Sequence, residues 1–309
     1  MASSFEGATL PDRDKGSHVK AHRWFSPWIL VAPALLWLTV FTIYPSLNTI
    51  RLAFTDAKPL GGAESYVGFQ NFARLFDDPQ LGNALLNSII FMVICLPFLT
   101  ILPLLLAILV EKPLKGIGFF RTVYYTPVIA SAVVVGLIWT WLLEDRGIVN
   151  AVLKAMHIIS TPIPFLTERW WIIASASILT IWKGLGYYMI IYLAAISNIP
   201  GELHEAAAMD GAGPIRRFWS VTVPGVRGTM TLIALLITVS ALRVFTEIYV
   251  LTGGTGGAGG EAMTLVMLIQ QYARGFFGNL GYASALSIVL FSVTLIPMGV
   301  LAYINKKAD

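Results

Sequence analysis

Long apolar runs separated by polar stretches dominate the chain. Six of them reach the ~20 residues that a helix needs to cross a hydrocarbon core. They cover residues 27–50, 84–110, 122–143, 170–196, 229–251 and 282–304. Pro97 and Pro103 fall inside the second run, where a kink or a tilt is expected. Aromatic residues punctuate the ends of the runs: Trp24, Trp28, Tyr44, Trp139, Trp141, Trp170, Trp171, Tyr249, Tyr282 and Tyr303. Amphipathic rings favour the headgroup zone, so these residues mark the same boundaries independently of hydropathy. The pattern predicts an all-α integral membrane protein with six transmembrane helices.

Residues 1–26 read differently. Glu6, Asp12, Arg13, Asp14, Lys15, Lys20 and Arg23 are scattered through them, and the apolar run that follows is too long for a signal-peptide core. The expectation is a disordered segment over 1–22, a retained first helix, and one transmembrane domain over 23–309. Composition supports the bilayer as solvent. Of 309 residues, 56% are hydrophobic and only 12% charged, with a mean hydropathy of +0.73; soluble domains carry about twice that charge. The net charge of +4 and pI near 9.1 do not point to nucleic acid, because the cations flank the apolar runs. Cys95 is alone, so no intrachain disulfide forms, and its place inside the second run makes it a small packing residue.

The flanking cations also orient the chain. One side carries four Lys and Arg before the first run, three in the 111–121 loop, three in the 197–228 loop and two in the tail, twelve in all. The other side carries seven: Arg51, Lys58, Arg74, Arg146, Lys154, Arg169 and Arg274. Acidic residues divide evenly. The positive-inside rule then places both termini in the cytoplasm, and makes loops 51–83, 144–169 and 252–281 external. The second of these holds a rigid Thr161-Pro162-Ile163-Pro164 piece. The third opens with Thr252-Gly253-Gly254-Thr255-Gly256-Gly257-Ala258-Gly259-Gly260, which invites comparison with a phosphate-binding loop. Such a loop needs a Lys followed by Ser or Thr at the start of a helix, and no Lys in this chain precedes either. The run reads as a flexible external turn, and the chain as lacking a nucleotide site.

Three charged residues lie at bilayer depth, where each costs about 2.5–3.5 kcal/mol and therefore faces protein or a watery cavity. Lys183 sits midway along the fourth run; Arg243 and Glu247 share the fifth at i and i+4, a spacing that permits an ion pair. His18, His22, His157 and His204 stand singly, with neither metal-ligand spacing nor a Cys partner. No nucleophile–base pair or cluster of acids and His near an interface supports the alternative of a membrane-embedded lipid-modifying enzyme.

The most informative stretch joins the fourth and fifth runs. Glu202 and Glu205 favour the positive end of a short helix after Pro200, which suits its first position. Leu203, Ala206, Ala207 and Met209 supply an apolar side. Gly211 and Gly213 break that helix, and Pro214 starts another. By its residues this is either an amphipathic connector on the membrane or a surface that another body approaches closely.

The run Glu205-Ala206-Ala207, then Asp210-Gly211-Ala212, then Val221, Val223 and Pro224 resembles the cytoplasmic EAA loop of binding-protein-dependent ABC importer permeases, in their sugar and glycerol-phosphate branch. Val221 and Val223 replace the Ile and Leu common there. Further matches run along nearly the whole chain, among them Tyr44-Pro45, Phe54-Thr55-Asp56, Val67-Gly68-Phe69-Gln70-Asn71-Phe72, Trp182-Lys183-Gly184, Tyr249-Val250-Leu251-Thr252-Gly253-Gly254 and Gly281-Tyr282-Ala283-Ser284-Ala285.

The resemblance implies the six-helix type I importer permease fold. It makes Glu205, Ala206, Ala207, Asp210, Gly211 and Ala212 the helix that couples to a cytosolic ATPase, and Lys183, Tyr187, Ser240, Arg243 and Glu247 the solute pathway. It also implies partners: a second, non-identical permease, two ATPase subunits that hold the ATP and Mg, and an external solute-binding protein, all at a bacterial cytoplasmic membrane. The solute it implies is a sugar or, as the alternative, glycerol 3-phosphate or a glycerophosphodiester. A stand-alone channel or secondary transporter has no use for a coupling loop.

Overall fold

The structure is a computed structural model that describes residues 26–111, 116–275 and 278–306. The N-terminal segment and its cations, His18, His22, Trp24, Lys112, Lys115 and Lys307 lie outside those residues, so the expected disorder of 1–22 does too. The chain divides into two compact units at Asn48 and Thr49.

The first unit is helical. α1 (Ser26–Leu38) passes through a wide π turn at Thr39–Ile43 into α2 (Tyr44–Leu52), which crosses into the second unit. The helix carries Trp28, Leu30, Leu36, Trp37 and Phe41 exposed.

The second unit contains α3 (Gln70–Asp77), α4 (Pro79–Glu111), α5 (Ile117–Ile129), α6 (Ala132–Leu143), α7 (Ile148–Ala155) and α8 (Arg169–Ile196). It continues with α9 (Gly201–Met209), α10 (Pro214–Arg217), α11 (Val223–Gly225), α12 (Arg227–Leu242), α13 (Thr246–Leu251), α14 (Leu265–Ala273) and α15 (Leu280–Lys306). Among the described residues there is no strand; a single isolated bridge joins Thr55 to Tyr66. Beside it, the Ser65 backbone N–H and hydroxyl donate to the Asp56 carboxylate at 2.6 and 2.8 Å, and these bonds hold its carboxyl below the usual carboxylate range.

Among the described residues, four helices are long and apolar enough to cross a membrane alone: Trp28–Leu52, Pro79–Glu111, Arg169–Ile196 and Leu280–Ile304. α4 continues through both prolines of the second run. The third and fifth expected spans need correction, because each is broken. α5 and the following segment 132–155 meet at 97° across an extended Ala130 and a non-helical Ser131. Pro127 lacks an N–H and crowds the preceding turn, and α5 ends two residues after it. The fifth run divides at Arg243–Phe245 into α12 and α13, with Phe245 far from helical geometry. The Thr264 hydroxyl donates to the freed Val244 carbonyl at 2.8 Å, a fully buried bond. Without it, that carbonyl would be a costly orphan.

The core forms where α4, α8 and α12 meet. Phe91, Cys95 and Leu99 pack with Ile172, Leu179, Met189 and Tyr192, and with Ile233 and Ile237. A smaller cluster of Leu75, Leu81, Leu265, Leu268, Tyr282 and Leu286 joins α3, α4, α14 and α15. α8 approaches α5 closely because Gly186 has no side chain: a Cβ there would collide with the Tyr124 carbonyl and lie 2.9 Å from the Tyr125 Cα.

The glycine run folds into a tight coil with one side against the helices. Gly253, Gly254, Gly256, Gly257, Gly259 and Gly260 all have positive φ, which lets the chain coil tightly. Gly257 lies against Ile172, and the Ala262 N–H closes back on the Gly256 carbonyl at 2.8 Å. Asn87, fully buried on α4, fastens the end of the coil by donating to the carbonyls of Glu261 and Met263 at 2.8 and 2.7 Å. Its own oxygen accepts from Arg169 Nε at 2.8 Å, while Arg169 also reaches Asn83 at 3.2 Å.

Candidate solute cleft and coupling helix

The two helix breaks converge on one place. A cleft of about 220 Å³ is lined by Leu99 of α4, Val128 of α5, Ser240 of α12, and Thr180, Lys183, Gly184, Tyr187 and Tyr188 of α8. Val128 lies two residues before the Ala130 break, and Ser240 three before Arg243. Irregular backbone at membrane depth persists where it is buried in protein or lines a polar cavity. Interrupted helices of this kind leave room for a solute beside a packed core.

The α8 wall follows from spacing. Thr180, Lys183, Gly184 and Tyr187 stand at i, i+3, i+4 and i+7, one stripe of a 3.6-residue helix. Gly184 opens the wall, since a Cβ there would come 2.8 Å from a Leu99 methyl. Tyr187 and Tyr188 meet edge to face, their rings 5.1 Å apart. Lys183 is about halfway along the 28 residues of α8, roughly 20 Å from either end at 1.5 Å per residue. No carboxylate forms an ion pair with it among the described residues.

Of the five residues expected along a solute path, the structure brings Lys183, Tyr187 and Ser240 to this cleft. Arg243 and Glu247 do not line it. Their expected helical pairing is corrected as well: the break between α12 and α13 removes the i, i+4 relation, and they form no ion pair. Thr180 and Tyr188 are cleft residues that the sequence reading missed. The i−3 spacing of Thr180 from Lys183 was the available signal.

At the opposite end of α8 from Arg169, the chain turns into α9. Pro200 occupies the N-cap position rather than the first helical one, with Gly201 opening the helix and Glu202 in its first turn. The C-terminus is closed by a Schellman motif: the Gly211 N–H donates to Ala208 and the Ala212 N–H to Ala207, at 3.0 and 2.9 Å. Gly211 has φ +73°, as its position requires. Pro214 begins α10, and a π turn at Phe218–Thr222 leads to α11. Glu205, Ala206, Asp210 and Gly211 are exposed, and Ala207 and Ala212 partly so. Leu203 is 51% and Met209 89% exposed, so this end presents apolar side chains that the chain itself leaves uncovered.

A bundle of long apolar helices, two of them interrupted around a polar cleft, with a capped helix standing off one end, defines a multi-pass membrane permease. Residues 78–309, well over half of the chain, match the family described as binding-protein-dependent transport system inner membrane component, and the chain belongs to that family. It is 33% identical over 275 residues to the lactose transport system permease protein of Rhizobium radiobacter, covering 89% of this chain and 92% of that one. It is 30% identical over 283 residues to the sulfoquinovosyl glycerol transport system permease protein of Agrobacterium fabrum, covering 91% and 90%. Among solved structures, a chain of a bacterial alginate ABC transporter, in complex with an alginate pentasaccharide-bound periplasmic protein, superposes with a TM-score of 0.73 at 25% identity. That match covers 91% of this chain and 94% of the other. The fold is that of type I importer permeases, and the chain is a permease subunit rather than an enzyme.

Proposed function

We propose that this chain forms one half of the solute path of an ATP-driven importer for a sugar or oligosaccharide. An external binding protein delivers the solute, a second and different permease completes the path, and two cytosolic ATPase subunits, which hold the ATP and Mg, drive it. Both termini and α9 lie in the cytoplasm of a cell whose inner membrane the protein spans. Lactose, sulfoquinovosyl glycerol and alginate in the names of the related systems support a saccharide over a glycerol phosphate.

The observation that carries this reading is α9, a short, firmly capped helix whose Leu203 and Met209 have no cover within the chain. Exposed apolar residues beside small ones suit docking on another protein, and the small side chains of Ala206 and Ala207 let that surface approach closely. When ATP closes the ATPase pair, a helix seated in it moves with it and biases the bundle between outward-open and inward-open forms. Lys183, Tyr187 and Ser240 then offer a cation, an aromatic face and a hydroxyl to the passing solute, and Arg243 and Glu247 serve nearer the delivery side.

The test is uptake by membranes carrying Gly211→Leu or Glu205→Lys. The first strains a left-handed position and the second reverses an exposed charge of the docking helix. Both variants are expected to insert normally and to lose uptake and co-purification of the ATPase. Wild-type uptake by both refutes the coupling role.

A further inference from the structure

α3 is a helix with three different sides. Phe69 at its N-cap, Phe72 and Phe76 stand at i, i+3 and i+7, one stripe of a 3.6-residue helix. Phe69 is 72% and Phe76 92% exposed. The rings continue into the chain before the helix. Phe54 lies 5.3 Å from both Phe69 and Phe72, and the exposed Tyr66 lies nearly parallel to Phe54 at 6.5 Å. The second side faces inward. Asn71 is buried and donates to the carbonyls of Ala53 and Thr55 at 2.9 and 2.8 Å, and Leu75 is buried one turn further on. The third side is polar and exposed, with Gln70 and Asp77 at i and i+7.

Contacts fix the height of α3 on the bundle. Leu75 shares a cluster with Leu81 and Tyr282, each the third residue of a helix long and apolar enough to cross a membrane. The Arg74 guanidinium lies 4.3 Å over the Tyr282 ring, and the Tyr282 hydroxyl donates to Asp78 at 2.6 Å. Asp78 is the single residue between α3 and α4. α3 is therefore held level with the first turns of α4 and α15, where two spans leave the hydrocarbon. A helix at that height, with one side on the bundle, has lipid against one remaining side and water against the other. The Asp77 carboxylate belongs in water, and the phenyl rings belong at the boundary of headgroups and acyl chains. A partner protein arriving from the water meets the Gln70 and Asp77 side first.

We propose that α3 is an interfacial anchor, lying along the membrane surface with Phe69, Phe72 and Phe76 inserted among phospholipids. Through Arg74 and Asp78 the anchor holds the ends of α4 and α15 at the depth of the headgroups. It requires neither the saccharide nor the coupling role proposed above.

The test introduces p-benzoylphenylalanine in place of Phe76, Phe69 or Asp77 in the full chain. The protein is held, with its co-purifying subunits, in nanodiscs of phosphatidylethanolamine and phosphatidylglycerol. All three side chains are exposed, so the photoreactive group is accommodated without repacking. After irradiation, mass spectrometry identifies what each position has captured. Phospholipid adducts are expected at Phe76 and Phe69 with a yield about tenfold above that at Asp77, because the apolar side of an interfacial helix sits ~5–10 Å into the headgroup boundary. A lipid yield at Phe76 no higher than at Asp77 overturns the anchor. A yield at Phe76 carried mainly by a protein chain also overturns it, and makes the aromatic stripe a docking face instead.

Discussion

Asn87 offers the sharpest test of how the structure is held together. It is fully buried near the start of α4, and its amide makes three bonds of 2.7–2.8 Å: two donated to the carbonyls of Glu261 and Met263, one accepted from Arg169. Asn87→Leu keeps the approximate volume and removes all three. The two carbonyls and the guanidinium are then left without their partner, and Arg169 already has one buried nitrogen unbonded. Both bonds are part-buried, so water can replace part of what is lost, and the expected loss is about 1–3 kcal/mol.

Asn87→Asp separates the contributions. A carboxylate still accepts from Arg169 but cannot donate, and it faces two carbonyl oxygens, so this variant too is expected to be destabilised. Asn83→Ala loses one 3.2 Å exposed bond and should fall within about 0.5 kcal/mol of wild type, as surface changes do. Thermal unfolding in detergent, followed by tryptophan fluorescence, ranks the three. Limited proteolysis reports the loop directly, since loosening Glu261 and Met263 frees the glycine coil for cleavage. A wild-type midpoint and an uncleaved loop for Asn87→Leu would refute the view that this amide clamps the coil to α4 and α8.

Two further substitutions probe other joints. Gly186→Ala sets a methyl against the Tyr124 carbonyl and Tyr125 Cα, and because backbone cannot yield like a side-chain tip, α5 and α8 must separate; a loss of about 1–3 kcal/mol or more is expected in the same unfolding assay, with unchanged stability as the contrary result. Asn150 is buried in α7 and binds the Ile163 N–H at 2.9 Å and the Ile163 carbonyl at 3.1 Å, so Asn150→Ala should release the proline-containing segment, read as faster proteolysis near Ile163 with little change in global unfolding.

The apolar runs made the helical class and the positions of the long apolar helices legible in the sequence, because a ~20-residue apolar requirement is imposed by the bilayer and not by neighbouring helices. The α9 region was legible too: Gly211, Gly213 and Pro214 are local instructions, written in backbone conformations that few other residues adopt. The helix breaks were not legible. Pro127 stands near the first, but α4 runs through two prolines unbroken, so a proline alone does not place a break; the kink at Arg243–Phe245 depends on a hydroxyl from Thr264, twenty residues away in sequence, to satisfy Val244. The same holds for the glycine run, whose composition suggests freedom while Asn87, Ile172 and Thr167 supply the order.

The candidate site divides along the same line. Lys183 and Tyr187 were marked by chemistry that a membrane helix rarely tolerates and by a family pattern, both local. Arg243 and Glu247 carried the same chemical mark, yet a break between them removed their shared helical face and left them outside the cleft. Sequence alone therefore determined which segments form long apolar helices and where the capped helix starts and ends, since those depend on short-range hydrophobicity and backbone preference. Tertiary structure decided which polar groups share a cavity, because satisfaction of a buried donor or acceptor depends on atoms that come from distant parts of the chain.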